Sequence, residues 1–303
     1  MDVEDYLARR RVAGRCSVST DTVTEPSDSL YIFGMTSRTP PPAVAETVLG
    51  LLALDEVEQD LYCAPPAVEE PFPLYGGQVA AQALYAAGRT VPPGREPHSL
   101  HGYFLRGGVA GTPIAFRVSR DRDGRSYSAR RVTATQDGEV IFTLSASFVT
   151  DEPGATREVQ PAPVVPPPEE LPEAVLPRLL SIEAKLPQQP DPDVEWPTRF
   201  WARCTVDLPD DPLTHACVLT YLSDISSGLF PLHDENNATG ASLDHAVWFH
   251  RPVRFDGWLL TDLVPKAAGR GRGWYTGTVH APDGELVASI AQEALFRGRR
   301  DIG

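Results

Sequence analysis

The feature that most constrains the fold of this chain is a pair of related segments that occur in the same order at nearly one spacing. The segment HSLHGYFLRGG begins at His98, and a related segment, ASLDHAVWFHRP, begins at Ala241. Pairing Phe104 with Phe249 gives an offset of 145 residues, and downstream TQDGEVIFTLSASF matches APDGELVASIAQEA at an offset of 146. Long blocks repeated in order indicate an internal duplication, and so long a period predicts two small domains and not a solenoid.

The first copy, placed at residues 41–150, has the pattern of a buried helix and a sheet. Pro42 suits the first turn of a short helix over AVAETVLGLLAL, and EQDLYCA predicts an extended segment. Gly76–Val91 is small or apolar on nearly every face, which is typical of a helix buried all round. Four strand-like runs follow, with Asp-Gly pairs at 123–124 and 137–138 that predict hairpins.

Residues 151–197 separate the two copies. They hold 12 of the 30 prolines, a composition that excludes a central strand and indicates a linker. Within this linker, LPRLLSIEAKL predicts a helix. Residues 1–40 have little periodic pattern and are predicted to be a loop-like extension.

The second copy, at residues 198–303, begins with the strand-like run TRFWARCTVDL. Asp211 and Pro212 then offer a helix N-cap and first position. The helix that follows is predicted to have one apolar stripe, from Cys217 to Ile225, with Asp224 at its edge. Strands are predicted near 242–250, 258–268, 273–281 and 285–297, with a hairpin at Asp283-Gly284.

Composition excludes several classes of function. Nothing approaches 18 consecutive apolar residues, and the charged N-terminus does not resemble a secretory signal, so we expect no membrane insertion. Four widely spaced cysteines fit reduced thiols in the cytoplasm better than disulfides or a zinc site. A net charge of −14 disfavours nucleic acid as a partner.

Three polar residues interrupt apolar patterns in the second copy. A charge at Asp224 on an apolar helix face is costly unless it is paired, and the alternative is that the side chain turns out to solvent. Ser242 is expected to share a strand face with Asp244 while His245 points the other way, which argues against an Asp244–His245 acid–base pair. Gln292 interrupts LVASIAQEALF, and a buried amide there needs hydrogen-bond partners, catalytic or structural.

Two tandem copies of a long buried helix wrapped by an antiparallel sheet indicate an α+β double hotdog. The sequence also resembles the acyl-CoA thioesterase II family, through motifs that occur in order from about Leu49 to Arg297. These motifs are YGGQVAAQALYAA, HSLHGYFLRGG, DGRSYSARRV, YLSD, SLDHAVWFHRP and LVASIAQEALFR.

The resemblance implies a hydrolase of fatty acyl-CoA in which Asp224, Ser242 and Gln292 hold and activate water. It implies no metal and no cofactor beyond the CoA of the substrate. The first copy has Ala146 where the second has Gln292, and its helix contains no acid, so we expect one active site per chain. A hotdog enoyl-CoA hydratase and a non-catalytic acyl-CoA-binding protein stay open, and a homodimer or homotetramer is expected.

Two further segments are weaker candidates for substrate binding. Backbone N–H groups near Gly77 and Gln78, at the start of the first helix, are placed to polarise a carbonyl oxygen, although the glycines equally permit close packing. Arg270 and Arg272, in a Gly-Arg-Gly-Arg-Gly segment, are candidates for the CoA phosphates, with a solvated loop as the alternative.

Overall fold

The computed structural model describes residues 45–66, 73–152, 154, 157, 161–176 and 178–298. The first half contains α1 (Val48–Leu51), β1 (Asp55–Glu58), β2 (Leu61–Ala64), α2 (Gly76–Gly88), β3 (Arg95–Phe104), β4 (Ile114–Asp123), β5 (Tyr127–Gln136) and β6 (Glu139–Thr150). The linker contains a 3-10 turn (Pro168–Glu170), β7 (Glu173–Ala174) and β8 (Ile182–Lys185). The second half contains β9 (Arg199–Cys204), α3 (Pro212–Ser223), a 3-10 turn (Ser227–Leu232), β10 (Asn237–Ser242), β11 (Asp244–Phe249), β12 (Leu259–Gly269), β13 (Arg272–His280) and β14 (Leu286–Gly298). The predicted extension and the start of the first predicted helix lie outside these residues.

All fourteen strands belong to one antiparallel sheet. Its order is β1-β2-β4-β5-β6-β3-β11-β14-β13-β12-β9-β8-β7, with β10 paired to β14. The two halves meet where β3 pairs with β11, with Leu100 opposite Val247. The order β4-β5-β6-β3 on one side of this junction mirrors β12-β13-β14-β11 on the other, as a duplicated sequence requires. The division at 41–150 and 198–303 stays a prediction.

The helices α2 and α3 lie against the sheet and pack against each other. Burial of α2 on nearly every face is confirmed, because ten of its thirteen residues are buried. The single apolar stripe predicted for α3 is wrong: every residue from Thr214 to Ser223 is buried, and Ile225 lies beyond the end of the helix. The reason is that α2 covers the face of α3 that the sheet leaves open.

The two helices run antiparallel. A Cβ added at Gly77, near the start of α2, would meet the carbonyl oxygen of Tyr221 near the end of α3. A Cβ added at Gly88, at the end of α2, would meet the side chain of Leu213 at the start of α3. Each end of the pair therefore joins the start of one helix to the end of the other.

The predicted start of α3 is confirmed. Asp211 is the N-cap, and its carboxylate accepts hydrogen bonds from the backbone N–H groups of Leu213 and Thr214. Pro212 occupies the first helical position, where its missing N–H costs nothing. The cap therefore fixes where the helix begins.

The helix predicted within the linker is wrong. The segment instead forms β8, which pairs with β9 so that Ile182 lies opposite Cys204. Arg178 and Ser181 have positive φ angles of 68° and 59°, which interrupt any helix at this point. Pairing with the edge of β9 outweighs the local helical propensity of the sequence.

Turn chemistry was predicted correctly for the hairpin between β5 and β6. Asp137 and Gly138 have φ angles of 47° and 80°, as a two-residue turn of the primed type requires.

Of the helices that the structure describes, none has both the length and the apolar character needed to span a membrane.

Candidate active site

Asp224 lies where α3 ends and lines a cavity of about 790 Å³. It is the C-cap residue, with φ −85° and ψ 25°, and only 4% of it is exposed. The cavity is also lined by Gly76 and Phe104 from the first half and by Ser226 and Ser242 from the second. The alternative of a solvent-exposed Asp224 is therefore wrong.

The structure brings Asp224, Ser242 and Gln292 into one hydrogen-bonded cluster. Ser242 Oγ donates to Asp224 Oδ1 at 3.0 Å, and Gln292 Nε2 donates to the same oxygen at 2.7 Å. Gln292 Nε2 also lies 2.6 Å from Ser242 Oγ. Asp224 and Ser242 line the cavity, whereas Gln292 is fully buried and contacts both from behind.

The first half of the chain reaches the carboxylate through the start of α2. The backbone N–H of Gly77 donates to Asp224. The N-cap of α2 is Tyr75, which makes no side-chain capping bond, so Asp224 supplies the acceptor there. The positive end of the helix dipole also favours the ionised carboxylate. A Cβ added at Gly76 would lie 2.5 Å from Asp224 Oδ2 and 2.7 Å from the Phe104 ring, so any side chain at this position would displace one of these groups.

Opposing effects set the protonation of Asp224. Burial raises the pKa of its carboxyl group from 3.8 to about 7. Hydrogen bonds from Ser242, Gln292 and Gly77 lower it and prevent a larger rise. The outcome is a carboxylate that exchanges protons near neutral pH, which is the range that suits a general base.

The expected strand geometry around Ser242 is wrong. Strand β10 ends at Ser242, Leu243 belongs to neither strand, and β11 begins at Asp244, so the alternation of side chains restarts. Ser242 and His245 both reach the cluster. Asp244 instead accepts a hydrogen bond from the backbone N–H of Glu293 at 2.7 Å. The prediction that Asp244 and His245 are not an acid–base pair agrees with this arrangement.

The His245 side chain hydrogen-bonds within the core, in direct contact with the cluster. Its Nδ1 lies 2.7 Å from Gln292 Oε1, and its Nε2 lies 2.7 Å from Ser223 Oγ. The ring is fully buried, and burial lowers its pKa to about 4. The imidazole is therefore neutral at neutral pH.

Ser226 belongs to the cluster and was missed by the sequence analysis. Its Oγ lies 3.1 Å from Ser242 Oγ and 3.1 Å from Gln292 Nε2. Its φ angle of 58° is left-handed, which turns the chain back toward Asp224 directly after α3. The available signal was the pair Ser226-Ser227, which follows closely after the end of a buried helix and after Asp224.

The weaker binding candidates lie elsewhere. Gln78 is buried, and its backbone N–H donates to the Tyr75 carbonyl oxygen at 3.2 Å. Arg270 lies in the turn between β12 and β13, and Arg272 donates to Glu293 Oε1 at 2.9 Å. Within the described part of the chain, none of these three residues lines the cavity. Their roles toward substrate stay predictions.

The Gly77 N–H group faces a carboxylate, not an open space for a carbonyl oxygen. The two arginines that do line the cavity are Arg106 and Arg178.

Across the described ranges, no group of three or more His, Cys, Asp or Glu side chains is placed to hold a metal ion.

The opposite end of the helix pair is built differently. Gln292 lies opposite Tyr275 in the sheet, and at the repeat offset Ala146 lies opposite Arg130. The Arg130 side chain is fully buried and donates to Thr90 Oγ1 at 2.7 Å. It also forms an ion pair of 2.8 Å with Asp123. A buried arginine therefore fills the first half where the second half has the glutamine and its partners.

Comparison with known proteins covers most of the chain. A family model described as the acyl-CoA thioesterase N-terminal domain matches residues 69–149, and one described as the C-terminal domain matches residues 156–296. Human acyl-coenzyme A thioesterase 8 is 33% identical over 303 aligned residues, which cover 89% of this chain and 95% of the relative.

Solved structures resemble this chain in fold over most of its length. The acyl-CoA thioesterase II TesB2 of Mycobacterium marinum is 39% identical with a TM-score of 0.71, over 83% of this chain and 97% of the other. A hot dog fold protein from Alicyclobacillus acidocaldarius is 22% identical with a TM-score of 0.69, over 82% of this chain and 97% of the other. The second likeness supports the hotdog fold alone.

Proposed function

The chain belongs to the acyl-CoA thioesterase II family, and from this premise we propose that it hydrolyses fatty acyl-CoA with water activated by Asp224, Ser242 and Gln292. One observation carries the assignment of these residues: a buried carboxylate, with its pKa raised to about 7, lines a large cavity while two side chains donate to one of its oxygens. Burial and restraint of this kind favour catalysis over structural pairing.

The proposed chemistry needs only water and the thioester. Ser242 and Gln292 both donate to Asp224 Oδ1, and the backbone N–H of Gly77 also donates to the carboxylate. We assign Oδ2 to the attacking water, because neither of the two side chains donates to it. As the water oxygen bonds to the carbonyl carbon, the carboxylate takes one of its protons. The C–S bond then breaks and the CoA thiolate leaves, giving a carboxylic acid and, after proton transfer, free CoA.

The cavity is suited to an acyl chain. Its walls are mainly apolar and come from both halves of the molecule, which is typical of a site that binds a lipid chain beside a few polar groups. The apolar lining residues include Leu74, Val79, Phe104, Ile141, Phe142, Leu179, Ile225 and Leu295.

We extend the proposal to the architecture. The hotdog neighbours and the mirrored strand order support two hotdog units, at 41–150 and 198–303, that share one sheet. Assembly as a homodimer or homotetramer and a cytoplasmic location stay predictions.

Incubation with saturated acyl-CoA and, separately, enoyl-CoA separates the three candidate activities. We expect release of free thiol from saturated acyl-CoA, since hydrolysis liberates CoA. Loss of enoyl absorbance without thiol release would instead identify a hydratase. Saturable binding with neither signal would identify an acyl-CoA-binding protein and would end the proposal.

The rate of hydrolysis should depend on pH through Asp224. Because the general base works only when deprotonated, kcat/KM is expected to rise about tenfold per pH unit below pH 7 and then to level off. Initial rates of thiol release between about pH 5 and pH 9 measure this profile. A rate that stays constant down to pH 5 would show that Asp224 is not the titrating base.

A further inference from the structure

We propose that His245 is a positioning residue of this active site, whose Nδ1–H holds the Gln292 amide with its NH₂ group toward Asp224 and Ser242. The inference rests on the proposed function, in which that amide restrains the carboxylate. His245 lies outside the cavity lining and so acts through Gln292, not on substrate.

The hydrogen bonds determine the tautomer of His245. The carbonyl oxygen Oε1 of Gln292 can only accept, so the Nδ1 atom 2.7 Å away must carry a hydrogen. In a neutral ring the other nitrogen, Nε2, then accepts the single hydrogen of the Ser223 hydroxyl 2.7 Å away, for which the Thr220 carbonyl oxygen at 2.9 Å competes. Neutrality follows from burial, which lowers the pKa of the imidazole to about 4. The hydrogen bond to Gln292 and the nearby Asp244 raise this pKa, and His101 lowers it further.

The orientation of the amide matters because its two ends have opposite chemistry. With Nε2 toward the carboxylate, Gln292 donates at 2.7 Å to Asp224 Oδ1. Rotated by half a turn, it would place Oε1 against Asp224, and two acceptors would face each other without a hydrogen. The Nδ1–H of His245 selects the first orientation, because in the second it would face the NH₂ group of Gln292, two donors without an acceptor.

These contacts form a closed ring. Ser223 and Asp224 are consecutive residues at the end of α3. From Ser223 the hydrogen bonds run to His245 on β11, then to Gln292 on β14, and from there back to Asp224. Two strands are thereby tied to the last turn of the helix at the point where the carboxylate leaves it.

The first half of the chain supplies an internal comparison. At the repeat offset the counterparts of His245 and Gln292 are Leu100 and Ala146, which lie opposite each other on β3 and β6. Both are buried. The same junction of helix and sheet is therefore built without the polar pair in the half that has no carboxylate, so the fold itself does not require it.

Three substitutions at His245 test the proposal in an acyl-CoA hydrolysis assay. Asn can place an amide donor near the position of Nδ1, whereas Gln reaches toward the position of Nε2 and Ser223. Leu copies the first half. We expect His245→Leu and His245→Gln to lower kcat by about tenfold to a hundredfold with little change in KM, and His245→Asn to restore most of it.

The pH profile adds a measurement that loss of stability alone would not move. Without a fixed donor from Gln292 the pKa of Asp224 should rise, so the acidic limb of the kcat profile should shift to higher pH in His245→Leu and return in His245→Asn. Gln292→Ala made in the His245→Leu background should cost little more, because both changes remove one interaction.

The outcomes are distinct. No thiol release by the wild-type enzyme would overturn the proposed function, and the role of His245 with it. If the wild-type enzyme hydrolyses acyl-CoA and all three variants do so at the wild-type rate, the positioning role of His245 is overturned while the proposed function stands. Should His245→Leu fail to fold, the comparison of His245→Asn with His245→Gln decides, and equal rates in these two variants count against the proposal.

Nitrogen NMR of the labelled wild-type protein gives a readout independent of activity. We expect the Nδ1–H tautomer of His245, and an Nε2–H tautomer would overturn the proposal.

Discussion

Asp224→Asn is expected to reduce kcat by about two to four orders of magnitude, which is the usual contribution of a general base. The amide has nearly the shape of the carboxylate, yet it cannot take a proton from water. Rates of thiol release under saturating acyl-CoA measure the loss. Ser242→Ala added to Asp224→Asn should cost little more, since the two residues hold one group as a unit.

The same substitution should not destabilise the fold. Because burial raises the pKa of Asp224 above its unfolded value, the folded state holds this proton more tightly, and the free energy of unfolding falls as pH rises from about 4 to about 7. A shift of about three units corresponds to roughly 4 kcal/mol above pH 7. The neutral Asn avoids this cost, so the Tm at pH 8 should be equal to or above that of the wild type.

Asp262→Asn is the matched control. Asp262 is a buried carboxylate of the same half, paired with Arg199 at 2.7 Å and away from the cavity. Its replacement should lower Tm and leave kcat close to that of the wild type. Full activity in Asp224→Asn, or equal losses of activity in the two variants, would contradict the assignment of Asp224 as the base.

Gly76→Ala is expected to lower kcat by about a hundredfold or more, although Gly76 carries no functional group. The added methyl would lie 2.5 Å from Asp224 Oδ2 and 2.7 Å from the ring of Phe104. Something must move, and displacement of the carboxylate breaks its hydrogen bonds to Ser242 and Gln292. A misplacement on the order of 1 Å in a catalytic group is enough for a loss of this size.

Gly88→Ala controls for the packing cost, because it makes the same change at the other end of α2. There the methyl would press on the Leu213 side chain, remote from the carboxylate. Both variants should lose about 1–3 kcal/mol of stability through overpacking. Only Gly76→Ala should lose turnover per folded molecule, measured at a temperature below both melting transitions. Similar turnover in the two variants would show that the approach of α2 to Asp224 does not matter.

The parts of the fold that could be predicted from sequence are those specified by local patterns. The small and apolar faces of α2, the Asp211 cap and the Asp-Gly turn at 137–138 each determine their element from within a few residues. The strand β8 could not be predicted in this way, because it forms only where the edge of β9 offers hydrogen-bond partners. Leu243 gave no signal that it would interrupt a strand and reverse the expected direction of His245.

The residues of the active site also divide into those that local sequence reveals and those that only the fold brings together. Gln292 could be recognised as an anomaly in an apolar strand, but its meeting with Asp224 required the fold, and its expected role came from family resemblance. Gly77 is harder still. Its contact with Asp224 depends on two helices whose sequences lie far apart in the chain, and the three expected catalytic residues all belong to the second half. Its backbone N–H instead donates to the carboxylate.

The antiparallel pairing of α2 and α3 also has a consequence for how such a site can evolve. In a dimer of identical chains, every mutation at one end of the helix pair appears at the other end, so a gain at one is coupled to a cost at the other. With both helices on a single polypeptide that coupling is removed. One end can keep Asp224 and Gln292 while the other acquires Arg130, and each then changes under its own selection.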